Sequence, residues 1–284
     1  MSLRVVHAGP SSLVQDLGRP GLADLGVGPS GAFDRRALRE ANHLVGNPAD
    51  CAVVEALGGG LALLATAPHL VAVTGAAGPV GVDGRPVGSG RALALRPGDV
   101  LRLGAPAVGL RWTVAVAGGF AAEEVLGSRA TDTLAGLGPA PLASGDELIV
   151  GRPDGPVSTE TFAAYLPSGE VSVRIVLGPR DDWFTPTAVA TFLSTAWRVD
   201  PVSDRIGVRL EGPSLERART GELASEPVVR GSVQVTSSGR PVVLGPDHPV
   251  TGGYPVIGVV LDADTDLLAQ ARPGDAVRFS RHRA

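Results

Sequence analysis

Glycine and proline interrupt this chain so often that long helices are disfavoured over most of its length. The 284 residues include 39 glycines and 24 prolines, and 44% of the residues are hydrophobic. Proline cannot donate the backbone hydrogen bond that a helix interior or a central strand needs, and both residue types are typical of turns. Short apolar runs between frequent turns predict a packed, mainly β protein that is long enough for two domains.

The short runs rich in valine and leucine predict the strands. They span 70–74, 92–95, 100–103, 111–116, 148–150, 171–177, 208–210, 233–235, 242–244, 256–260 and 276–279. Two helices are predicted as well. One begins near Asp34 and stops at Gly46, and the other has Thr185 as its N-cap and Pro186 at its first position. Strands therefore outnumber helices.

The tetrapeptide Arg-Pro-Gly-Asp occurs twice, at 96–99 and at 272–275, each time before an alternating apolar run. Proline fixes φ at the first turn position, glycine supplies positive φ at the next, and aspartate can bond to nearby backbone. Two explanations stay open: a recurrent tight turn, or a duplicated barrel whose closing strand appears in each half. Turn-forming residues between 151 and 169 predict a boundary, with domains at 1–165 and 166–284.

All 25 basic residues are arginine, so the chain contains no lysine. This excludes a Walker A lysine, a Schiff-base lysine and a biotinyl-lysine on this chain. The net charge of −4 and the scattered arginines argue against a nucleic-acid partner. A single cysteine, Cys51, fits a reducing compartment, and neither a signal-peptide core nor a membrane-spanning run occurs. We therefore expect a cytoplasmic protein without a membrane partner, and the histidine spacing predicts no metal site.

Polar residues first gather between Gln15 and Gly21, where turn-forming residues place an amide, a carboxylate and a guanidinium close together. Arg19 can bind a carboxylate there, while Gln15 can both donate and accept hydrogen bonds. The alternative is structural, with Asp16 pairing with Arg19 or capping the following turn. The stretch 30–34 then leads into the first helix, whose N-terminus is a generic anion site.

Two further polar segments lie in the second half of the chain. Hydroxyl groups and adjacent glycines follow Asp247 at 251–254, which suits either a ligand loop or a plain hairpin turn before the strand 256–260. Arg180 precedes two aspartates that are either metal ligands or, as we favour, solvated charges at a helix N-terminus. From these residues alone, the chain is predicted to be a β-rich binder of small molecules.

An ordered set of motifs then points to a family. It comprises Gln15-Asp-Leu-Gly-Arg-Pro-Gly21, Gly26-Val-Gly-Pro-Ser-Gly-Ala-Phe-Asp34, Asn42-His-Leu-Val-Gly-Asn-Pro48, Gly127-Ser-Arg-Ala-Thr-Asp132, Gly178-Pro-Arg-Asp-Asp-Trp-Phe184, Asp204-Arg-Ile-Gly207, Gly231-Ser-Val-Gln234 and Thr251-Gly-Gly-Tyr-Pro255. Together they resemble the KipA family, also called the 5-oxoprolinase C subunit or allophanate hydrolase subunit 2. That family is similar to part of the carboxyltransferase domain of urea carboxylase. One departure is Pro249-Val250, where family members commonly carry Gln-Thr.

The resemblance implies two tandem cyclophilin-like β-barrels with a few short helices. It also implies a subunit of an ATP-dependent 5-oxoprolinase, which opens 5-oxo-L-proline to L-glutamate. The implied partners are a KipI-type and a LamB/YcsF-type subunit, with ATP used by the complex and no biotin attached to this chain. The alternatives are a urea carboxylase or allophanate hydrolase type of carboxyltransferase subunit, and a non-catalytic antagonist of a KipI-type kinase inhibitor.

The loops and the resemblance together give the candidate site residues. Asp16, Asp34 and Asp247 are the predicted catalytic residues. The residues predicted to bind substrate or nucleotide are Gln15, Arg19, Ser30, Asn42, Arg129, Arg180, Arg205, Gln234, Thr251, Gly252, Gly253 and Tyr254. For Asn42, capping and turn roles are the ordinary alternative. Replacing Arg19 by alanine is expected to cost activity while changing the melting temperature little.

Overall fold

The computed structural model describes residues 1–153, 155–164, 166 and 169–282. These residues divide into two compact units. The first comprises Met1–Arg19, Ser30–Asp132 and the described residues between 136 and 166; the second comprises Pro20–Pro29, Thr133–Ala135 and the described residues after 166. The predicted boundary between 165 and 166 falls on Tyr165, which lies outside the described residues. No helix within the described ranges is both long and apolar enough to cross a membrane.

The first unit consists of two antiparallel sheets. Its strands are β1 (Ser2–Ala8), β2 (Ser11–Gln15), β3 (Val53–Leu57), β4 (Leu61–Ala65), β5 (His69–Ala77), β6 (Val80–Val82), β7 (Arg85–Val87), β8 (Ala92–Leu95), β9 (Val100–Leu103), β10 (Val108–Val116) and β11 (Glu147–Ile149). One sheet has the order β11-β1-β4-β9-β6-β7 and the other β2-β3-β10-β5-β8. Buried side chains of both sheets, such as Leu63 and Trp112, share one core. The described strands of this unit thus form two sheets packed on one shared core.

Helix α1 (Arg35–Leu44) covers the outer face of the second sheet. Its apolar stripe, including Leu38 and Leu44, packs on Val53 and other buried residues of β3, β5 and β10. The helix begins where the sequence predicts, because the Asp34 carboxylate accepts a hydrogen bond of 2.8 Å from the backbone N–H of Ala37.

The second unit contains a closed barrel. Its strands are β12 (Glu170–Leu177), β13 (Trp197–Val199), β14 (Gly207–Glu211), β15 (Glu226–Pro227), β16 (Ser232–Val235), β17 (Pro241–Leu244), β18 (Thr251–Gly252), β19 (Val256–Val260) and β20 (Ala276–Arg281). The barrel order is β12-β19-β16-β17-β14-β13-β20, and the parallel pair β12–β20 closes it. Inside, the stacked rings of Phe192 and Phe279 lie 4.4 Å apart between centroids. The mainly β class is confirmed, and a β-barrel is present.

Two further helices belong to the second unit. Helix α2 (Pro186–Ser194) begins as predicted, because the Thr185 hydroxyl accepts a hydrogen bond of 3.1 Å from the Ala188 N–H. Helix α3 (Asp262–Leu268) follows β19 and was not predicted.

The repeated Arg-Pro-Gly-Asp tetrapeptide forms the same turn in both units. The backbone N–H of Arg96 donates to the Asp99 carboxylate at 2.7 Å, and that of Arg272 donates to the Asp275 carboxylate at 2.9 Å. The turn at 143–146, whose sequence is Ala-Ser-Gly-Asp, has this bond too, at 2.7 Å. The glycines of the three turns have φ values of 96°, 87° and 100°. A tight turn thus recurs before β9, β11 and β20, as the first explanation predicts, while the duplication stays a prediction.

Candidate functional site

In the first unit, the end of β2 presents two polar side chains that are almost fully buried. Nε2 of Gln15 donates to the Thr131 carbonyl at 2.8 Å, while its Oε1 has no hydrogen-bond partner among the described residues. Arg19 is 2% exposed, and its Nη2 donates to the Ala130 carbonyl at 2.6 Å. Its Nη1 lies 4.0 Å from a carboxylate oxygen of Asp132 and makes no hydrogen bond within the described structure. Gln15 thus retains one acceptor oxygen, and Arg19 one donor nitrogen, without a hydrogen bond among the described residues.

Asp16 shapes the loop between these two residues. One of its oxygens accepts hydrogen bonds from the Gly18 N–H at 2.7 Å and the Ser128 hydroxyl at 2.6 Å. The other oxygen accepts from the backbone N–H of Arg129 at 2.6 Å. Of the two structural alternatives for Asp16, capping of the following turn is the one observed.

The segment that leads into α1 packs against this loop. Ser30 and Gly31 both adopt positive φ, at 51° and 89°. The Ser30 hydroxyl donates to the Thr131 carbonyl at 3.2 Å, the same oxygen that accepts from the Gln15 amide. A Cβ atom on Gly31 would lie 2.8 Å from the Gly18 nitrogen, so only glycine allows this approach. Gln15, Arg19 and Ser30 consequently gather along the Ala130–Asp132 backbone, and we call these three side chains site 1.

A buried charged pair below this segment was missed from the sequence. Glu55 is 4% exposed and accepts a hydrogen bond of 2.7 Å from the Phe33 N–H. Nε of Arg111 lies 3.6 Å from the other Glu55 oxygen, and its guanidinium carbon stands 4.5 Å from the centroid of the Phe33 ring. The available signal was a charged residue inside each of two apolar strand patterns, β3 and β10.

Asn42 and Arg129 lie outside site 1. Asn42 is fully buried, donates to the Cys51 carbonyl at 2.8 Å and accepts from the Asn47 amide at 3.0 Å, which is the turn-stabilising role given as its alternative. The Arg129 guanidinium is partly exposed and forms an ion pair of 3.1 Å with Glu124. Only the Arg129 backbone takes part in the Asp16 network.

In the second unit, Arg205 and Asp247 form a buried bidentate ion pair with bonds of 2.9 and 3.0 Å. The Asp247 carboxylate also accepts bonds of 3.0 and 2.7 Å from the backbone N–H and hydroxyl of Thr133. Burial on its own raises the pKa of Asp247, but the Arg205 charge and the donated hydrogen bonds outweigh it, so the pKa lies below the usual range. Asp247 is therefore an ionised structural partner of Arg205 at neutral pH.

The remaining predicted residues of the second unit meet around the β15–β18 ladder. Nε of Arg180 lies 2.9 and 3.0 Å from the two carboxylate oxygens of Glu226, which pairs with Gly252 in that ladder. These hydrogen bonds from Arg180 hold the pKa of Glu226 below its usual range, against a smaller opposite effect of burial. Gln234 donates to the Tyr254 carbonyl at 3.3 Å.

Gly252 also touches the Gln234 amide so closely that a Cβ atom would collide with it. The loop 251–254 leaves the side chains of Thr251 and Tyr254 exposed. We call Arg180, Gln234 and residues 251–254 site 2. Within the described ranges, no three His, Cys, Asp or Glu residues converge as a metal site would require.

The chain belongs to the carboxyltransferase domain family, whose model for subdomains A and B matches residues 25–281. The resemblance found in the motifs is thereby confirmed. The chain is 35% identical over 280 residues to the 5-oxoprolinase C subunit of Escherichia coli (strain K12), covering 98% of this chain and 90% of that protein. It is 34% identical to the corresponding 5-oxoprolinase protein of Haemophilus influenzae (strain Rd), covering 94% and 86% of the two chains.

Solved structures give the same fold. The urea amidolyase of K. lactis superposes with a TM-score of 0.91 at 27% identity over 99% of this chain. The superposition covers 19% of the amidolyase, so this chain spans about a fifth of that neighbour. The matched fold is thus one part of a much larger enzyme in that case.

Proposed function

We propose that this chain is one subunit of an ATP-dependent 5-oxoprolinase, which opens 5-oxo-L-proline to L-glutamate. The observation that carries the proposal is the extent of the match. Two 5-oxoprolinase C subunits are matched over 90% and 86% of their own lengths, whereas the urea amidolyase is matched over 19%. Both of these bacterial proteins therefore correspond to this chain nearly end to end.

The proposed chemistry couples a difficult amide opening to ATP. The lactam oxygen attacks the γ-phosphorus of ATP and ADP leaves; water then adds to the activated carbon, ring opening leaves an acyl phosphate, and a second water hydrolyses this acyl phosphate to the carboxylate and inorganic phosphate. The ring C–N bond breaks and its nitrogen takes up a proton. Oriented N–H donors that stabilise developing negative charge accelerate such steps most.

Site 1 offers groups that complement this substrate. Nη1 of Arg19 is a buried donor without a hydrogen bond, which suits the substrate carboxylate. Oε1 of Gln15 is a buried acceptor without a hydrogen bond, which suits the lactam N–H. Buried polar atoms normally find partners, so two such atoms beside one backbone segment favour a ligand role.

The three aspartates contribute differently in this proposal. Asp16 caps a turn, Asp34 caps α1, and Asp247 holds Arg205, so each shapes a loop. Substrate or nucleotide contacts are assigned to site 1 and to the exposed side chains of site 2, whose Arg180 can bind a phosphate oxygen.

The relatives are named as subunits, so the enzymes they belong to contain partner chains. We propose that the complex is completed in the cytoplasm by two further subunits, one of the KipI type and one of the LamB/YcsF type. ATP binds at the level of this complex. The absence of lysine means that no biotin is carried on this chain.

The proposal is tested by co-expressing this chain with the two partners and measuring glutamate release from 5-oxoproline with and without ATP. We expect release only with ATP and all three subunits, so mixtures that lack one subunit are the controls. A soluble ternary complex that releases no glutamate would overturn the assignment.

The K. lactis superposition also favours a second candidate, a carboxyltransferase that acts on urea or a similar amide. That reaction needs carboxybiotin from another polypeptide. Carboxylation of urea by this chain together with a carboxybiotin carrier, but not with the two proposed partners, would select it. A biotin carrier gene beside this one would point the same way.

A further inference from the structure

Glu55 and Arg111 are charged side chains in the middle of a sheet. Glu55 lies on β3 between Leu13 of β2 and Thr113 of β10, and its neighbours along the chain are apolar. Glu55 and Arg111 are 4% and 7% exposed. Burying an ion pair costs desolvation energy that hydrophobic residues of similar volume avoid. A pair kept in such a place calls for a role beyond stability.

Both side chains hold the same residue. Glu55 accepts the Phe33 N–H at 2.7 Å, and Arg111 stacks its guanidinium on the Phe33 ring at 4.5 Å. Phe33 is thereby fixed through its backbone and through its ring. It is the last residue before Asp34, the N-cap of α1.

The segment that Phe33 terminates has an unusual backbone. Ser30 is a non-glycine residue with a φ of 51°, and Gly31 follows with 89°. Such conformations persist only where their surroundings fix them, and they cluster at ligand-binding loops. Here the segment is fixed by the Ser30 hydroxyl on Thr131, by the bond of 2.8 Å from the Ala32 N–H to the Asp16 carbonyl, and by Glu55.

We propose that Glu55 and Arg111 are positioning residues for site 1. They hold Ser30–Phe33 against the Gln15–Arg19 loop through Phe33 and touch no substrate themselves. The assignment of site 1 to the substrate rests on the proposed function, whereas the contacts of Glu55 and Arg111 with Phe33 do not.

The hydrogen bond from Phe33 to Glu55 is tested by hydrogen exchange of the Phe33 amide in the full chain. Glu55→Ala removes the acceptor, and we expect exchange at Phe33 to accelerate about tenfold or more, because a buried N–H without its partner opens more readily. Glu55→Gln keeps an acceptor oxygen and should restore most of the protection. Glu40→Ala is the matched control, since Glu40 pairs with Arg36 on the exposed side of α1.

The consequence for the site is tested in the assembled complex. Misplacing a substrate contact raises KM, while partial unfolding only reduces the number of active molecules and so lowers kcat. We expect Glu55→Ala to raise the KM for 5-oxoproline about tenfold, with Glu55→Gln close to wild type. Arg111→Met should raise KM in the same direction and serves if Glu55→Ala does not fold.

The outcomes separate the two proposals. Unchanged Phe33 exchange in folded Glu55→Ala overturns the positioning role. An unchanged KM in active complexes of Glu55→Ala and Arg111→Met overturns it as well. An inactive wild-type complex instead overturns the proposed function, and the exchange experiment still decides what Glu55 does.

Discussion

A buried arginine such as Arg19 can donate hydrogen bonds to backbone carbonyls and to a ligand at the same time, because a guanidinium carries five N–H donors. Two of its nitrogens are occupied by the carbonyls of Val125 and Ala130, and a third is left over. The expectation that its removal would hardly change stability does not fit this environment. Its removal takes the side-chain donor from the Ala130 carbonyl and leaves the Val125 carbonyl with only the Ser128 N–H at 3.3 Å.

We therefore expect Arg19→Ala to lower the free energy of unfolding by about 2 to 4 kcal/mol, besides its effect on activity. Urea unfolding of the isolated chain measures the loss. The control is Arg129→Ala, which removes a partly exposed ion pair with Glu124 and one bond of 3.1 Å to the Ala122 carbonyl, and should therefore cost less, about 1 kcal/mol. Equal losses in the two variants would contradict the role assigned to the Arg19 carbonyl bonds.

The Asp247–Arg205 pair predicts a pH dependence. The pKa of Asp247 is lower when folded than its unfolded value of about 3.9, so its contribution to stability is complete above about pH 4. That contribution disappears as the pH falls through the folded pKa. In urea unfolding near neutral pH, the free energy of unfolding of the wild type should exceed that of Asp247→Asn by a constant amount. The advantage should shrink below about pH 4; an advantage that grew on acidification would refute this sign.

Among the elements, the N-termini of the helices were predicted best from the sequence. Thr185-Pro186 and Asp34 begin helices because caps are local chemistry, encoded within four residues. The eleven predicted strands all overlap observed strands, and 92–95, 100–103 and 256–260 match residue by residue. The strands that were not predicted are β1 to β4, β6, β7, β13, β15 and β18. Sheet order depends on pairing between distant segments and could not be read.

Asp34 allows the cap to be separated from acid–base chemistry. Asparagine caps a helix as well as aspartate does, whereas alanine in place of either costs about 1 kcal/mol. We expect Asp34→Asn to keep both the stability of the chain and the activity of the complex. Asp34→Ala should show the lower melting temperature. A stable Asp34→Asn complex without activity would instead assign catalysis to this carboxylate.

At the scale of the whole molecule, the motifs predicted the members of the two candidate sites but not their internal partners. Gln15, Arg19 and Ser30 do meet, as do Arg180, Gln234 and residues 251–254. The sequence could not show that Arg205 is occupied by Asp247, or that Glu55 reaches Phe33, because these partners are 42 and 22 positions apart. Such pairings follow from the fold and not from local spacing.

The second unit depends on the segment Thr133–Ala135, so a change at Thr133 should destabilise that unit. Thr133→Val keeps the backbone N–H bond to Asp247 and removes the hydroxyl bond of 2.7 Å. We expect a loss of about 1 to 3 kcal/mol in urea unfolding, because the carboxylate is buried and charged. Thr133→Ser, which keeps the hydroxyl, is the control, and a Val variant as stable as the Ser variant would contradict the role of this bond.

The membership of Pro20–Pro29 and Thr133–Ala135 in the second unit bears on how that unit can be made. During translation both segments are synthesised before any strand of the barrel. The strands with which they form the second unit follow more than 30 residues later. A gene divided at 165/166 would leave both segments on the wrong fragment. The second half expressed alone would then lack Thr133, which donates two hydrogen bonds to the Asp247 carboxylate. Adding the first fragment back should restore these two bonds.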